Sequence, residues 1–131
     1  MKILFAALLV AAVVVSGCTS GPSANYASFA TCVKDAGIVE YGAYWCPNCA
    51  RVKLALGDAW SNLNYLECDA RCARDARGNL PDYCKGFEGH SDQCLALGID
   101  RYPSWVRGNE ILYVGTDLAQ VAAVSSCQLP S

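Results

Sequence analysis

Nine cysteines stand in this chain of 131 residues, at Cys18, Cys32, Cys46, Cys49, Cys68, Cys72, Cys84, Cys94 and Cys127. That density does not suit a reducing cytosol; it suits an oxidising compartment, where disulfides brace a small core. With Cys18 set aside, eight remain, the even number a disulfide framework requires. The length is one domain's worth once any targeting segment is removed. Ten Lys+Arg against twelve Asp+Glu, with no basic run, leave no footprint for nucleic-acid binding.

The 53% hydrophobic content is inflated at the N-terminus. Lys2 precedes an unbroken apolar run from Ile3 to Val15, and these thirteen residues fall short of the ~20 a spanning helix needs. A signal-peptide core is the better reading. Val15-Ser16-Gly17-Cys18 resembles the bacterial lipobox, which implies a lipoprotein-type signal peptide over residues 1–17 and acylation of Cys18. Simple secretion and an uncleaved anchor are the alternatives. The expected location is outside the cytoplasm, as a membrane-anchored lipoprotein, periplasmic or at the cell surface. Ser, Gly, Thr and Pro in Thr19–Asn25 make residues 18–25 a tether, and residues 26–131 the domain.

Within that domain, Tyr26, Phe29, Ala30 and Val33 recur at helical spacing up to Asp35. Ile38–Tyr41 predicts a strand, Pro47–Leu56 a helix stopped by Gly57, and Asn64–Cys68 a second strand. Asp69–Gly89 is polar and punctuated by Pro81, as an inserted loop would be. Ser91 is placed to cap a helix through Leu97. Two apolar runs around Gly108-Asn109 predict a hairpin, and Asp117–Ser125 a last helix. The order predicts an α/β fold, a mixed central sheet flanked by helices, with a cysteine-containing insertion.

Cys46-Pro47-Asn48-Cys49 follows a strand and opens a helix. At such an end, unpaired N–H groups and the positive end of the helix dipole stabilise a thiolate, the form that attacks disulfides. Cys46, at the start, is expected to attack, and Cys49, one turn in, to resolve the mixed disulfide. A structural disulfide is one alternative. Another is a zinc or copper site, since Cys68-x3-Cys72 follows Cys49 after 18 residues, close to zinc-ribbon spacing. A metal-binding or metallochaperone module would use the same thiolates.

Ile38-Val39-Glu40-Tyr41-Gly42-Ala43-Tyr44-Trp45 ahead of the pair resembles the active-site segment of thioredoxin and protein disulfide isomerase domains. Ile99-Asp100-Arg101-Tyr102-Pro103-Ser104-Trp105 resembles that family's second signature, 54 positions beyond Cys49. The resemblance implies a thioredoxin-like fold and a cis Pro103 facing the active-site pair, with the Tyr102 backbone meeting substrate. Phe29-Ala30-x-Cys32, Tyr65-x-Glu67-Cys68, Cys94-x3-Gly98-Ile99 and Ser126-Cys127 extend the likeness. Together these motifs are similar to the thioredoxin-like domain associated with bacterial vitamin K epoxide reductase homologues. The longer Asp69–Gln93 segment, with Cys72 and Cys84, departs from that pattern, and the membrane reductase domain is missing from this sequence.

The resemblance implies pairing of Cys68 with Cys94. Cys32 and Cys127, at the two ends of the domain, are expected to pair as well, closing a loop of about 95 residues. Cys72 and Cys84 are left to bridge the insertion, structurally or as a second redox pair; six cysteines allow fifteen connectivities. Glu40, an acid among apolar strand residues, is either a solvent-facing edge residue or a buried proton acceptor for Cys49. Trp45 and Trp105 are expected near the site, Trp45 with Tyr102 on the substrate side. His90, the single histidine, reads as a loop residue, so neither a Cys–His protease nor a His-rich metal site is supported. The expected activity is thiol–disulfide oxidoreduction with no bound cofactor and no metal. Its partners would be cysteine-containing exported proteins or a membrane quinone-linked reductase homologue. Whether it oxidises, reduces or isomerises depends on a potential that two intervening residues do not fix.

Overall fold

The structure, a computed structural model, describes residues 23–131. The expectations for the signal segment and Cys18 therefore lie outside the described residues. Helix α1 (Ser23–Asp35) begins three residues before Tyr26, inside the segment expected to be tether. Gly37, at φ +74°, turns the chain into strand β1 (Ile38–Gly42). Helix α2 (Pro47–Leu56) starts on Pro47, whose missing N–H costs nothing in a first turn. Gly57 ends it, and the chain continues as a 3-10 helix (Gly57–Asn62). Strand β2 (Asn64–Glu67) follows.

Helix α3 (Ser91–Ala96) lies one residue earlier than expected: its N-cap is His90, with no side-chain cap bond, rather than Ser91, and Leu97 is its C-cap. Strands β3 (Ser104–Arg107) and β4 (Glu110–Val114) form the Gly108-Asn109 hairpin. Helix α4 (Leu118–Ser125) is capped by Asp117, whose carboxylate accepts from the Ala119 N–H at 2.9 Å.

The sheet order is β2-β1-β3-β4, with β1 parallel to β2 and antiparallel to β3, and β3 antiparallel to β4. This mixed sheet is flanked by helices in a thioredoxin-like arrangement. Alternation along the strands splits the interior in two. On one face Ile38 and Trp105 pack with Phe29 and Val33 of α1, Val52 and Leu56 of α2, and Val121 of α4. On the other, Tyr41 and Val106 pack with Cys94 and Ile99.

The insertion holds one 3-10 turn (Asp82–Cys84) and a single bridge between Glu67 and Gly89. Its order comes from side chains: Asp75 Oδ1 accepts from the backbone N–H groups of Arg77 and Asn79, and Arg74 pairs with Glu88 at 2.9 Å. Disulfides join Cys32 to Cys127, Cys68 to Cys94, and Cys72 to Cys84. No helix among the described residues is long and apolar enough to cross a membrane.

Candidate active site

Cys46 and Cys49 are the cysteines among the described residues that stand outside a disulfide, and both are buried. Cys46 is the N-cap of α2, and its Sγ accepts from the Cys49 N–H at 3.4 Å. The strand-to-helix turn places that sulfur at the helix start, where unpaired N–H groups favour negative charge. The Tyr102–Pro103 peptide is cis, and the Tyr102 carbonyl lies 3.7 Å from Cys46 Sγ, accepting from it. Two segments far apart in sequence thus meet at one sulfur.

Around this pair the wall is aromatic. Trp45 is about half exposed, and its Nε1 donates to Asp69 Oδ2 at 2.7 Å. Its ring meets Tyr102 edge to face, with centroids 6.0 Å apart. Arg71 grips Asp69 with two nitrogens, at 2.6 and 2.9 Å, and that pairing holds the Asp69 carboxyl well below the usual carboxylate range. Tyr44 stacks on Tyr83 of the insertion at 4.8 Å, with Arg71 over the Tyr44 ring. The insertion is therefore pinned to the active-site loop.

Behind the pair, Glu40 is buried in the central strand, not at a sheet edge. Trp60 Nε1 donates to its Oε2 at 2.8 Å, while Oε1 is buried without a partner. Loss of hydration pushes the Glu40 carboxyl up to about 7, against the Trp60 bond and the Lys53 charge, which favour the anion. Burial also raises the Cys49 thiol far above its ordinary value, and its neighbours Cys46 and Glu40 add to the effect. Cys49 therefore needs a base to lose its proton near neutral pH. Trp105, opposite Glu40 on β3, is a core residue whose Nε1 donates to the Gly115 carbonyl, and it does not reach the mouth of the site.

A cavity of about 80 Å³ opens beside the cysteines, lined by Cys46, Cys49, Lys53, Tyr65, Glu67 and Phe87 among others. Tyr65 and Glu67 are functional candidates that the motif reading quoted within Tyr65-x-Glu67-Cys68 but gave no role. Both are ordinary residues of a short strand, and the available signal was a second acid on the sheet face that carries Glu40.

Metal ligation by the zinc-ribbon spacing finds no centre here. Cys68 and Cys72 are bonded to Cys94 and Cys84, and no three metal-ligating side chains cluster among the described residues. His90 is exposed and contributes only backbone bonds.

No protein-family model matches the chain. It is similar to thiol-disulfide oxidoreductase LTO1 of Arabidopsis thaliana, with 29% identity over 112 residues. That alignment takes in 84% of this chain and 27% of the plant protein, so the chain spans little more than a quarter of its relative. The likeness and the disulfides together support redox chemistry at thiols.

Proposed function

We propose that the chain is an extracytoplasmic thiol–disulfide oxidoreductase cycling Cys46 and Cys49 between dithiol and disulfide. The observation that carries this reading is the seat of Cys46, at the start of α2 with its sulfur 3.7 Å from the Tyr102 carbonyl beside cis Pro103. A substrate disulfide approaching this sulfur meets the Tyr102 backbone and the exposed Trp45 ring. In the reducing direction the Cys46 thiolate attacks R–S–S–R′, forming a mixed disulfide with R and releasing R′–S⁻. Cys49 then loses its proton and attacks Cys46 Sγ. The Cys46–Cys49 bond forms, R–S⁻ leaves, and the substrate has gained two electrons. Oxidation of a substrate dithiol is the same path reversed. Glu40, desolvated behind Cys49, is the proton acceptor on the inner side.

The natural partners in this reading are cysteines of exported proteins or a membrane quinone-linked reductase homologue, the latter from the likeness to domains associated with vitamin K epoxide reductase homologues. Acylation of Cys18 would hold the enzyme at a membrane and raise its effective concentration near such a partner. Mass spectrometry of the mature N-terminus tests the anchor: diacylglycerol on Cys18 is expected, and a free thiol there excludes it.

The exchange reading is tested by trapping. Cys49→Ser is expected to accumulate mixed disulfides through Cys46, and Cys46→Ser to abolish exchange. Trapping by Cys46→Ser alone would reverse the two roles.

A further inference from the structure

Glu40 gives Cys49 a base but no outlet, since one of its oxygens is held by Trp60 and the other is buried without a partner. The neighbouring strand supplies something different. In the parallel pairing of β1 with β2, Tyr65 stands beside Glu40 and Glu67 beside Gly42. Residues two apart on a strand share a face, so Tyr65 and Glu67 point toward α2 together. The Tyr65 hydroxyl donates to Glu67 Oε2 at 2.9 Å, and Glu67 Oε1 is fixed by the Asp69 N–H at 2.9 Å.

Gly42 leaves the space in which these groups meet the thiol. A Cβ at Gly42 would come within 2.9 Å of Cys49 Sγ and 3.1 Å of Tyr65 Oη. Sulfur and hydroxyl therefore abut the same small gap. Cys49, Tyr65 and Glu67 also all line the cavity beside the motif.

We propose that Tyr65 and Glu67 form a second proton acceptor for Cys49, a relay that carries its proton from the buried sulfur to the cavity. The inference rests on the exchange reading and deepens it. In the step, the Cys49 S–H proton passes to Tyr65 Oη as the Tyr65 hydroxyl proton passes to the Glu67 carboxylate. The products are a Cys49 thiolate, an unchanged tyrosine and a neutral Glu67, so charge and protons balance and no free tyrosinate forms. Tyr65 would be useless as a base alone, because burial and the adjacent Glu67 charge strongly oppose its ionisation. Glu67 suits the end of the chain: burial raises its carboxyl above the ordinary value, toward the pH at which it must take a proton. The other charged and titratable groups facing this cluster are Glu40 on β1, Cys46 at the N-cap of α2, Lys53 on α2, Tyr44 and Tyr102 on the flanking loops, and Asp69 and Lys85 from the segment after β2.

The test uses the reduced full chain and oxidised glutathione as probe. Attack by Cys46 releases one glutathione and leaves a glutathionylated protein; resolution by Cys49 releases the second. Acid quenching and mass spectrometry follow both steps from pH 6 to 9. Tyr65→Phe keeps the ring that packs on Trp60 and Phe87, and Glu67→Gln keeps the carbonyl facing the Asp69 N–H. Each variant is expected to resolve about tenfold more slowly at pH 7, short of a positioned base's full contribution because Glu40 remains. The first step should be unchanged, and the double variant should be no slower than Tyr65→Phe. Wild type should lose resolution rate as the pH falls and Glu67 takes a proton; Glu67→Gln should lose that part of the profile. Resolution at the wild-type rate by Tyr65→Phe at every pH, or a double variant slower than either single one, overturns the relay. A wild-type chain that neither becomes glutathionylated nor releases glutathione overturns the exchange reading itself, and the relay with it.

Discussion

Glu40 sits in the central strand with one carboxylate oxygen unpartnered, and its effect on stability follows from its proton. Its carboxyl lies at about 7 in the folded chain against an ordinary 4.5. Below 4.5 it is neutral in both states and costs nothing. Between those values the unfolded chain releases the proton while the folded one holds it, so stability falls as pH rises. Above 7 the full penalty stands, about 3 kcal/mol from a shift of that size. Glu40→Gln should therefore be more stable than wild type at pH 8 by up to about 3 kcal/mol, with the advantage vanishing near pH 4.5. Urea unfolding at the two pH values reads it, and equal differences at both would remove the buried acid from the account. The same variant should slow resolution by Cys49 while leaving attack by Cys46 unchanged. Glu40 was legible in the sequence because an acid amid Ile, Val and Tyr breaks the local pattern. Tyr65 and Glu67 were not: tyrosine is a common strand residue, and their importance depends on a register that brings them beside Glu40 and Gly42.

Elements with strong periodicity and punctuation are legible in the sequence alone. Helix α2 is bracketed by Pro47 and Gly57, and the hairpin by its Gly-Asn turn, and both stand where the pattern puts them. The Asp69–Gly89 segment has neither period nor repeat, and its shape depends on a disulfide, an Asx-type turn at Asp75 and stacking of Tyr83 on Tyr44. The bridge was open to expectation from the cysteine count and the Asp75 turn is local, but the stacking on Tyr44 joins residues 39 positions apart and leaves no local trace. Where β1 meets α2, the fit depends on Gly42. A methyl there would meet the Tyr65 ring at 2.8 Å and Cys49 Sγ at 2.9 Å, distances real side chains do not tolerate. Gly42→Ala is expected to cost about 1–3 kcal/mol, as overpacking of a tight interior does. It should also slow resolution, because the sulfur or the tyrosine must move. An alanine variant with wild-type urea midpoint and exchange rate would contradict this packing. At α4, Asp117→Ala removes the cap bond to the Ala119 N–H and should cost about 1 kcal/mol with no change in exchange.

Across the whole molecule, the disulfides divide between holding the chain together and shaping the site. Cys32–Cys127 ties α1 to the segment after α4 over a separation of 95 residues, and neither cysteine lines the cavity beside Cys46. Arg107 reinforces the same junction by donating to the carbonyls of Ala36 and Val124. Cys72–Cys84 closes only 12 residues, but Cys84 lines that cavity and its neighbour Tyr83 stacks on Tyr44, two residues before Cys46. Chain entropy predicts that removing the long bridge with Cys32→Ala/Cys127→Ala costs about 4–5 kcal/mol, against about 3 kcal/mol for Cys72→Ala/Cys84→Ala. Activity should follow the opposite order. Under conditions where both variants remain folded, the first should exchange with oxidised glutathione at close to the wild-type rate. The second should be impaired, because one cavity wall and the seat of Tyr44 depend on its bridge. Urea midpoints and exchange rates measured on the same preparations separate the two effects. If loss of the short bridge leaves exchange intact while loss of the long one abolishes it in a folded chain, the insertion is not part of the active-site wall, and the working surface lies nearer the junction of α1 and α4.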